Sequence, residues 1–243
     1  MKRGKFVVVD GLDGVGKGVF LEAFVDEAVK EGKLVFDVDL FEQKNGRLPS
    51  SSEVIGTYDV VKTSEPTYSG IGKIIREEYT KKESSYSARI VAEAFALGRR
   101  ILYEELLLPV LKAGVDVYQS RSFSTSIVFQ PQQSATEGSS FSVAEILSIP
   151  GNKFCLEHPM DFLVVPTLNN VAEVVSRFEN RDKKDNCKYE NLEFQLKVKP
   201  YYESEEFKQL FISLGVKVVY LDAGVSVEYS QQQAREFYKQ NLK

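Results

Sequence analysis

The residues best suited to chemistry lie near the start of the chain, between Gly11 and Lys17. Glycines in this stretch allow the backbone to turn its N–H groups inward, where they can surround an anion. The lysine can then contact the outer phosphates of a nucleoside triphosphate. The spacing Gly-x-x-x-x-Gly-Lys fits the P-loop pattern and predicts a phosphate-binding loop. The residues predicted to bind the donor phosphates are Gly11, Asp13, Gly14, Val15, Gly16, Lys17 and Gly18.

The segments on either side of this loop have the periodicity that such a loop requires. Residues 6–9 form an uninterrupted apolar run, typical of a strand buried on both faces of a parallel sheet. After Lys17, apolar residues recur at three- and four-residue spacing, which predicts an amphipathic helix. A glycine turn beside a surface lysine is the alternative interpretation. One position departs from the pattern, because Gly18 stands where Ser or Thr normally offers a hydroxyl to Mg²⁺.

Composition narrows the classes of function. The 243 residues are 43% apolar, enough for a sizeable core, and we expect a single domain over residues 1–243. A net charge of −4 without a long basic block argues against a nucleic-acid groove or an anionic membrane surface. Apolar runs are too short to span a membrane, and the first strand leaves no room for a signal peptide. We therefore expect a cytoplasmic protein. Cys155, Cys187 and His158 lack the spacing of a zinc site.

Strand and helix patterns alternate along the rest of the chain. Strands are predicted at 33–40, 59–63, 115–119, 161–165 and 216–221, and helices at 70–82, 87–111, 140–149, 169–181, 190–207 and 227–240. The segments 44–57 and 130–142 are predicted as loops, the first of them an insertion. This alternation predicts an α/β fold, a P-loop NTPase-type parallel sheet of about five strands covered by helices on both faces. Ligands of such sheets bind at the carboxyl ends of the strands, where the phosphate loop, Glu65 and Arg121 would converge.

Four spaced motifs give the chain a more specific resemblance. Residues 63–66 read T-S-E-P, residues 95–99 read F-A-L-G-R, and residues 120–122 read S-R-S, followed by Ser126 and Gln130. Together with the phosphate loop and the acidic, lid-like stretch 185–194, they resemble the thymidylate kinases, a family of P-loop nucleoside monophosphate kinases. The resemblance extends from Lys5 to about Tyr202.

The resemblance implies a transferase of nucleotide biosynthesis that uses ATP and Mg²⁺ to phosphorylate dTMP, acts as a homodimer and closes a lid near 180–190. Lys17 would neutralise the donor phosphates, Arg121 would bridge the transferring phosphoryl group, and Arg181, with Arg177, would act from the lid. The acceptor would contact Asp13 through its sugar hydroxyl and Phe95 through its base. The other residues implied at the acceptor are Glu65, Arg76, Arg99, Ser126 and Gln130.

Several positions depart from the family pattern. Ser120 replaces an Asp that helps hold Mg²⁺, Ser64 and Asn186 replace arginines, and Gly98 replaces an Asp. The departures at Gly18 and Ser120 remove two oxygen ligands from the metal region. We therefore expect Mg²⁺ to be held through phosphate oxygens and water, with Asp10, Asp13 or Glu65 as more distant carboxylates.

Two other functions remain open, and several residues have a second interpretation. Arg121-Ser122 also resembles the E-R-S motif of deoxynucleoside kinases, although Ser120 is a poor general base for a nucleoside hydroxyl. A degenerate paralogue that binds nucleotide without turnover is the alternative from another class. Phe95 could belong to the core, and Arg76 or Arg99 could be solvated helix arginines.

Overall fold

A computed structural model of the protein describes residues 2–171 and 186–243. Its centre is a parallel sheet of six strands in the order β2–β3–β4–β1–β5–β6. The predicted α/β, P-loop-type fold is confirmed, with six strands in place of about five. The strands are β1 (Phe6–Val9), β2 (Val35–Asp37), β3 (Val60–Ser64), β4 (Asp116–Ser120), β5 (Phe162–Thr167) and β6 (Lys217–Asp222).

Helices connect these strands. In the described residues they are α1 (Lys17–Lys30), α2 (Val38–Asn45), α3 (Gly70–Ile74), α4 (Ala88–Leu102), α5 (Leu108–Lys112), α6 (Phe123–Thr136), α7 (Val143–Ser148), α8 (Pro150–Glu157), α9 (Leu192–Tyr202), α10 (Glu205–Ser213) and α11 (Val227–Asn241). Wider π-helical segments continue α3 (Ile75–Tyr79) and join α4 to α5 (Tyr103–Leu107), and a 3₁₀ turn covers Ser51–Glu53. None of the helices in 2–171 or 186–243 is long and apolar enough to cross a membrane.

The central strand β1 is covered on both faces. Phe6 packs against Tyr103, with ring centroids 5.6 Å apart, so the π-helical segment covers one face. On the other face, Phe24 of α1 packs against Tyr118 at 6.0 Å and against Phe237 of α11 at 5.4 Å. All four residues of β1 are fully buried. The apolar run at 6–9 thus forms the buried strand that its composition indicates.

The first difference from the predicted elements lies between α1 and β3. The alternating segment 33–40 was expected to be one strand, but only Val35–Asp37 pairs with β3. Asp37 ends the strand because its side chain accepts the Leu40 N–H at 3.0 Å and caps α2. The second half of the predicted strand is therefore the start of α2, which runs two residues into the predicted insertion and brings Asp39 and Gln43 to the cavity described below.

Two other elements also differ. The segment from Gln130 was predicted as a loop, but α6 continues to Thr136. The helix predicted for 190–207 is interrupted, because Ser204 accepts the Phe207 N–H at 3.1 Å and starts α10 as a separate helix. The predicted helix 169–181 falls almost entirely outside the described residues.

The strands β3, β4 and β1 end at one level. Ser120 lies opposite both Ser64 and Val9 in the sheet register. The residues that follow these three strand ends, Glu65, Arg121 and the phosphate loop, consequently start from one edge of the sheet. This register, rather than proximity along the chain, assembles the candidate site.

Candidate active site

Lys17 is the first residue of α1, and its side chain turns back over the loop that precedes it. Its Nζ donates to the carbonyl oxygens of Gly11, at 3.1 Å, and Leu12, at 2.6 Å. The same atom lies 3.7 Å from a carboxylate oxygen of Asp13. The ammonium group is thus held at the loop by oxygen atoms that phosphate oxygens could replace.

The glycines of the loop differ in what their positions require. Gly14 and Gly16 have φ values of 75° and 97°, in the left-handed region that side chains disfavour. Gly18 has no such constraint, and a Cβ atom placed there would meet no other atom within 4 Å. The missing hydroxyl at position 18 is therefore not imposed by lack of space.

Arg121 reaches the loop from the end of β4. Its backbone N–H donates to the Val9 carbonyl at 3.0 Å, and its φ of 66° lies in the left-handed region. Its Nη2 contacts the Asp13 carboxylate in a close ion pair. Lys17 and Arg121 therefore flank one carboxylate, and two cations are available where phosphate groups would enter.

A cavity of about 810 Å³ opens beside the loop. Most of the residues predicted to contact substrate or cofactor line it: Asp13, Gly14, Gly16, Lys17, Gly18, Glu65, Arg76, Phe95, Arg121 and Gln130. Gln130 is buried, and its side-chain oxygen has no hydrogen-bond partner among the described residues. Phe95 and Gln130 thus give the cavity an aromatic face and an amide.

Other predicted residues do not line this cavity. Gly11 and Val15 are buried, and the Val15 side chain belongs to the hydrophobic core. Arg99 and Ser126 lie behind the cavity wall. The predicted lid residues Arg177 and Arg181 lie outside the described residues.

Arg99 forms a buried ion pair instead of reaching into the cavity. It is 2% exposed, and its Nε donates to the Glu65 carboxylate at 2.7 Å. Its other nitrogens contact the Asn152 side-chain oxygen and the Ser126 hydroxyl, the latter at 3.3 Å. Burial raises the pKa of Glu65 to about 7, although Arg99 favours the charged carboxylate. In this arrangement Arg99 orients Glu65 and is not among the residues that line the cavity.

Arg76 lies on the π-helical turn after α3 and faces the cavity. Its guanidinium lies over the Tyr68 ring, 3.9 Å from the ring centroid, in cation–π geometry. Its Nε donates to the Pro66 carbonyl at 2.8 Å, and its Nη2 donates to the Ser64 hydroxyl at 3.2 Å. The cation is therefore fixed at the end of β3, beside the position where the family pattern has an arginine and this chain has Ser64.

Several lining residues were not predicted, among them three polar residues from α2 and β3. Asp39 and Gln43 come from α2, and Lys62 comes from β3. Burial raises the pKa of Asp39, one of whose oxygens is buried without a partner in the described part of the chain. Lys62 donates to the carboxylates of Glu22, at 2.5 Å, and Asp37, at 3.0 Å. Lys62, directly after two valines of β3, was the one sequence signal for this cluster, whereas α2 was itself predicted as strand and loop.

The described end of the predicted lid, residues 186–190, is attached to the segment after α3. Lys188 N–H donates to the Thr80 carbonyl at 2.8 Å, and Lys82 N–H donates to the Asn186 carbonyl at 3.0 Å. Cys187 forms an antiparallel bridge with Lys81 and lines the cavity, together with Tyr189 and Glu190. Residues 187–190 of the predicted lid therefore contribute to one wall of the cavity.

The carboxylates of the described residues do not cluster into a metal site. Among residues 2–171 and 186–243, no group of three or more His, Cys, Asp or Glu side chains could hold a metal ion. Asp10 is enclosed, accepting hydrogen bonds from the Gly11 N–H at 2.7 Å, the Thr125 hydroxyl at 2.8 Å and the Ser124 hydroxyl. The expected assistance from Asp10 therefore lacks a free path to a metal ion, and Glu65 is engaged by Arg99.

Comparison with known proteins gives consistent relatives. No family model matches the chain. A probable thymidylate kinase of Caldivirga maquilingensis is 28% identical over 176 residues, which cover 72% of this chain and 68% of that protein. A probable thymidylate kinase of Pyrococcus horikoshii is 32% identical over 132 residues, or 53% of this chain and 52% of that protein. The thymidylate kinase of Chlamydia muridarum is 28% identical over 51% of this chain and 49% of its own length.

A solved structure agrees with these sequence matches at the level of the fold. The thymidylate kinase of Candida albicans superposes with a TM-score of 0.62 and 18% identity, covering 99% of this chain and 93% of that one. For most of the curated relatives named here, the matched segment spans about half of their length. The resemblance suggested by the motifs is confirmed: the chain is a relative of the thymidylate kinases in sequence and shares their fold.

Proposed function

We propose that this chain is an ATP-dependent nucleoside monophosphate kinase that converts dTMP to dTDP. The observation that supports this proposal best is the arrangement of Lys17 and Arg121 around Asp13 in one cavity. One cation belongs to the phosphate loop and the other comes from a neighbouring strand. Two donor groups of this kind suit a phosphoryl group that passes between a donor and an acceptor.

The transfer requires positioning and charge neutralisation more than proton transfer. ATP would place its phosphates on the loop, where Lys17 and Arg121 exchange Asp13 and carbonyl contacts for phosphate oxygens. An oxygen of the acceptor phosphate then attacks the γ-phosphorus, and ADP leaves with the electron pair of the bond that breaks. The acceptor phosphate, with a second pKa of about 6, is largely dianionic at neutral pH, so no general base is required.

The acceptor base would lie between Phe95 and Gln130. An aromatic face binds a base by stacking, and the orphan Gln130 oxygen could accept an N–H from its edge. Arg76 lines the same cavity, where it would contact the acceptor phosphate. A deoxynucleoside kinase would need a base for its hydroxyl acceptor, and both Glu65 oxygens already accept hydrogen bonds from Arg99 and Gln119.

The metal requirement follows from the same geometry. Since the described residues offer no protein cage, Mg²⁺ would enter with ATP and be held through phosphate oxygens and water. A homodimer in the cytoplasm, without nucleic-acid or membrane partners, completes the proposal.

The outer side of α4 carries exposed apolar side chains suited to a contact between two copies of the chain. Ile90, Leu97 and Ile101 lie on the outer side of α4 and are 44%, 50% and 40% exposed. Their spacing of seven and four residues places them in one apolar stripe, whereas the core contacts of α4 are made by other residues, such as Val91 and Leu102. An apolar stripe on the outer side of a helix is suited to contact with a second copy.

A coupled assay of ADP release tests the proposed function. We expect turnover with dTMP, less with dUMP, and little with thymidine or purine monophosphates. Lys17→Met is the matched control for contaminating kinases, because it should remove the activity without changing the acceptor pocket. Preference for thymidine would favour a deoxynucleoside kinase. Retained ATP binding without turnover for any acceptor would favour a degenerate paralogue.

A further inference from the structure

Gln119 lies on β4, two residues before Arg121, and neither the motifs nor the cavity lining included it. It is fully buried. Its Nε2 donates to the backbone carbonyl of Arg121 at 2.7 Å and to the Glu65 carboxylate at 2.9 Å. A single amide group therefore connects the ends of β3 and β4 at the place where both contribute to the cavity.

The chemistry of the two partners determines the orientation of this amide. A carbonyl and a carboxylate both accept hydrogen bonds, so only the NH₂ end of Gln119 can face them. The side-chain oxygen consequently points elsewhere, and it has no partner among the described residues. Glu65 is in turn oriented by Arg99, which donates to its other oxygen at 2.7 Å. Hydrogen bonds thus run from Arg99 through Glu65 and Gln119 to the backbone of Arg121.

The backbone of Arg121 is a place where such support matters. Its φ of 66° lies in a region that residues with a Cβ atom rarely adopt. The N–H is fixed by the Val9 carbonyl at 3.0 Å, and the carbonyl is fixed by Gln119. With both peptide groups held, the guanidinium is directed at Asp13 and the phosphate loop.

We propose that Gln119 is a positioning residue that holds Arg121 in its left-handed conformation, so that the guanidinium is already in place for the transferring phosphoryl group. The kinetic part of this inference rests on the proposed function. The structural part, the placement of the Arg121 side chain, does not.

Substitution of Gln119 tests the kinetic part. Gln119→Met has a similar volume and lacks the donor, and Gln119→Glu places an acceptor against two acceptors. Because misplacement of about 1 Å can cost roughly 100-fold in rate, we expect kcat to fall about 10- to 100-fold, with KM for ATP and dTMP changed less than about threefold.

Tyr118→Phe is the control. Tyr118 precedes Gln119 on β4, faces the opposite side and packs against Phe24 at 6.0 Å, so its variant should keep kcat.

A double-mutant cycle distinguishes positioning from general destabilisation. In an Arg121→Ala background, Gln119→Met should cost no further activity, because the group that it positions is gone. If the two effects multiply, or if Gln119→Met keeps full kcat while the parent protein turns over, the inference is wrong.

A crystal structure of Gln119→Met tests the inference without turnover. We expect that the Arg121 guanidinium no longer contacts Asp13 and that the backbone φ of Arg121 is no longer in the left-handed region. An unchanged Arg121 would overturn the inference. Absence of turnover in the parent protein would instead contradict the proposed function, and the crystal structure would still decide the role of Gln119. If Gln119→Glu fails to fold, Gln119→Met alone is used for the kinetic measurement and for the crystal structure.

Discussion

Arg99 and Glu65 form an ion pair behind the wall of the cavity, with Nε and Oε2 2.7 Å apart and the two side chains 1% and 4% exposed. The two residues come from different motifs, and the resemblance to thymidylate kinases implied that each would contact the acceptor. Their contact with each other uses the cation to orient the carboxylate. Glu65 lines the cavity, and its charge is compensated by Arg99, which does not line it.

Removing one partner of this pair should destabilise the protein strongly. Arg99→Met leaves the Glu65 carboxylate buried without its cation, and we expect a loss of about 3–5 kcal/mol in the free energy of unfolding. The matched control is Arg100→Met, at the next position of α4. Arg100 pairs with Glu104 at 3.0 Å on an exposed face, so its loss should cost less than about 1 kcal/mol. Urea denaturation measures the unfolding free energy of both variants. Equal losses would contradict the role assigned to the buried ion pair.

The pH dependence of stability offers a second test of the same carboxylate. Burial raises the pKa of Glu65 to about 7, whereas an unfolded glutamate has a pKa of about 4.3. Between these values the folded protein retains a proton that the unfolded chain has released. The contribution of Glu65 to stability should therefore decrease as pH rises from about 4 to about 7.

Glu65→Gln cannot titrate and serves as the reference for this slope. The difference in unfolding free energy, parent minus variant, should fall as pH rises through that window and level off above it. Denaturation curves at pH 5, 6, 7 and 8 provide the measurement. A difference that stays constant, or that grows with pH, would mean that Glu65 is already ionised at pH 5 through its contact with Arg99.

Lys17 should determine the affinity for ATP. Its Nζ now contacts the carbonyl oxygens of Gly11 and Leu12, and phosphate oxygens would offer it a stronger, charged partner. Loss of one charge-assisted bond, worth about 1.5–3 kcal/mol, predicts a Kd for ATP about 10- to 100-fold higher in Lys17→Met. Lys30→Met, at the exposed end of α1, removes the same charge and should leave the affinity unchanged. Calorimetry that finds equal affinities in the two variants would argue against the phosphate loop.

The outer side of α4 predicts the oligomeric state. Leu97 is 50% exposed at the middle of the apolar stripe formed with Ile90 and Ile101. If this stripe is the contact between two copies, Leu97→Glu would bury a charge there and should produce monomers. Sedimentation velocity measures the change. Glu93→Gln, on an exposed position of the same helix, is the control, and a parent protein that is already monomeric would refute the proposed dimer.

The sequence predicted those parts of the site that depend on local pattern. The loop, Lys17 and Arg121 follow directly from strand ends, and the order of the elements was sufficient to place them on one edge. The ion pair of Arg99 with Glu65 could not be predicted, because the two residues are 34 positions apart in the chain and meet only in the folded protein. α6 buries polar residues such as Ser124, Gln130 and Gln133, so it lacks the apolar stripe that would have predicted a helix there. Asp39 was missed because the helix that carries it alternates like a strand.

The last prediction concerns the metal. In P-loop kinases Mg²⁺ bridges phosphate groups and is usually held by a hydroxyl after the loop lysine and by a nearby carboxylate. This chain has Gly18 and Ser120 at those positions, and Asp10 is enclosed by hydrogen bonds. We therefore expect slow turnover, below the range of about 1–100 s⁻¹ that is common for kinases, and saturation only at high Mg²⁺.

Restoring the two oxygen groups should lower the Mg²⁺ requirement and raise the rate. Space permits the first change, since a Cβ at position 18 meets no atom within 4 Å. Gly18→Thr with Ser120→Asp is the test protein, and Gly18→Ala with Ser120→Asn is the control for helix propensity and side-chain volume, as it adds no hydroxyl at 18 and no charge at 120. Mg²⁺ is titrated at saturating ATP and dTMP. If the parent protein already saturates at low Mg²⁺ with an ordinary rate, and the test protein gains nothing over its control, other groups replace these ligands and our account of the metal region is wrong.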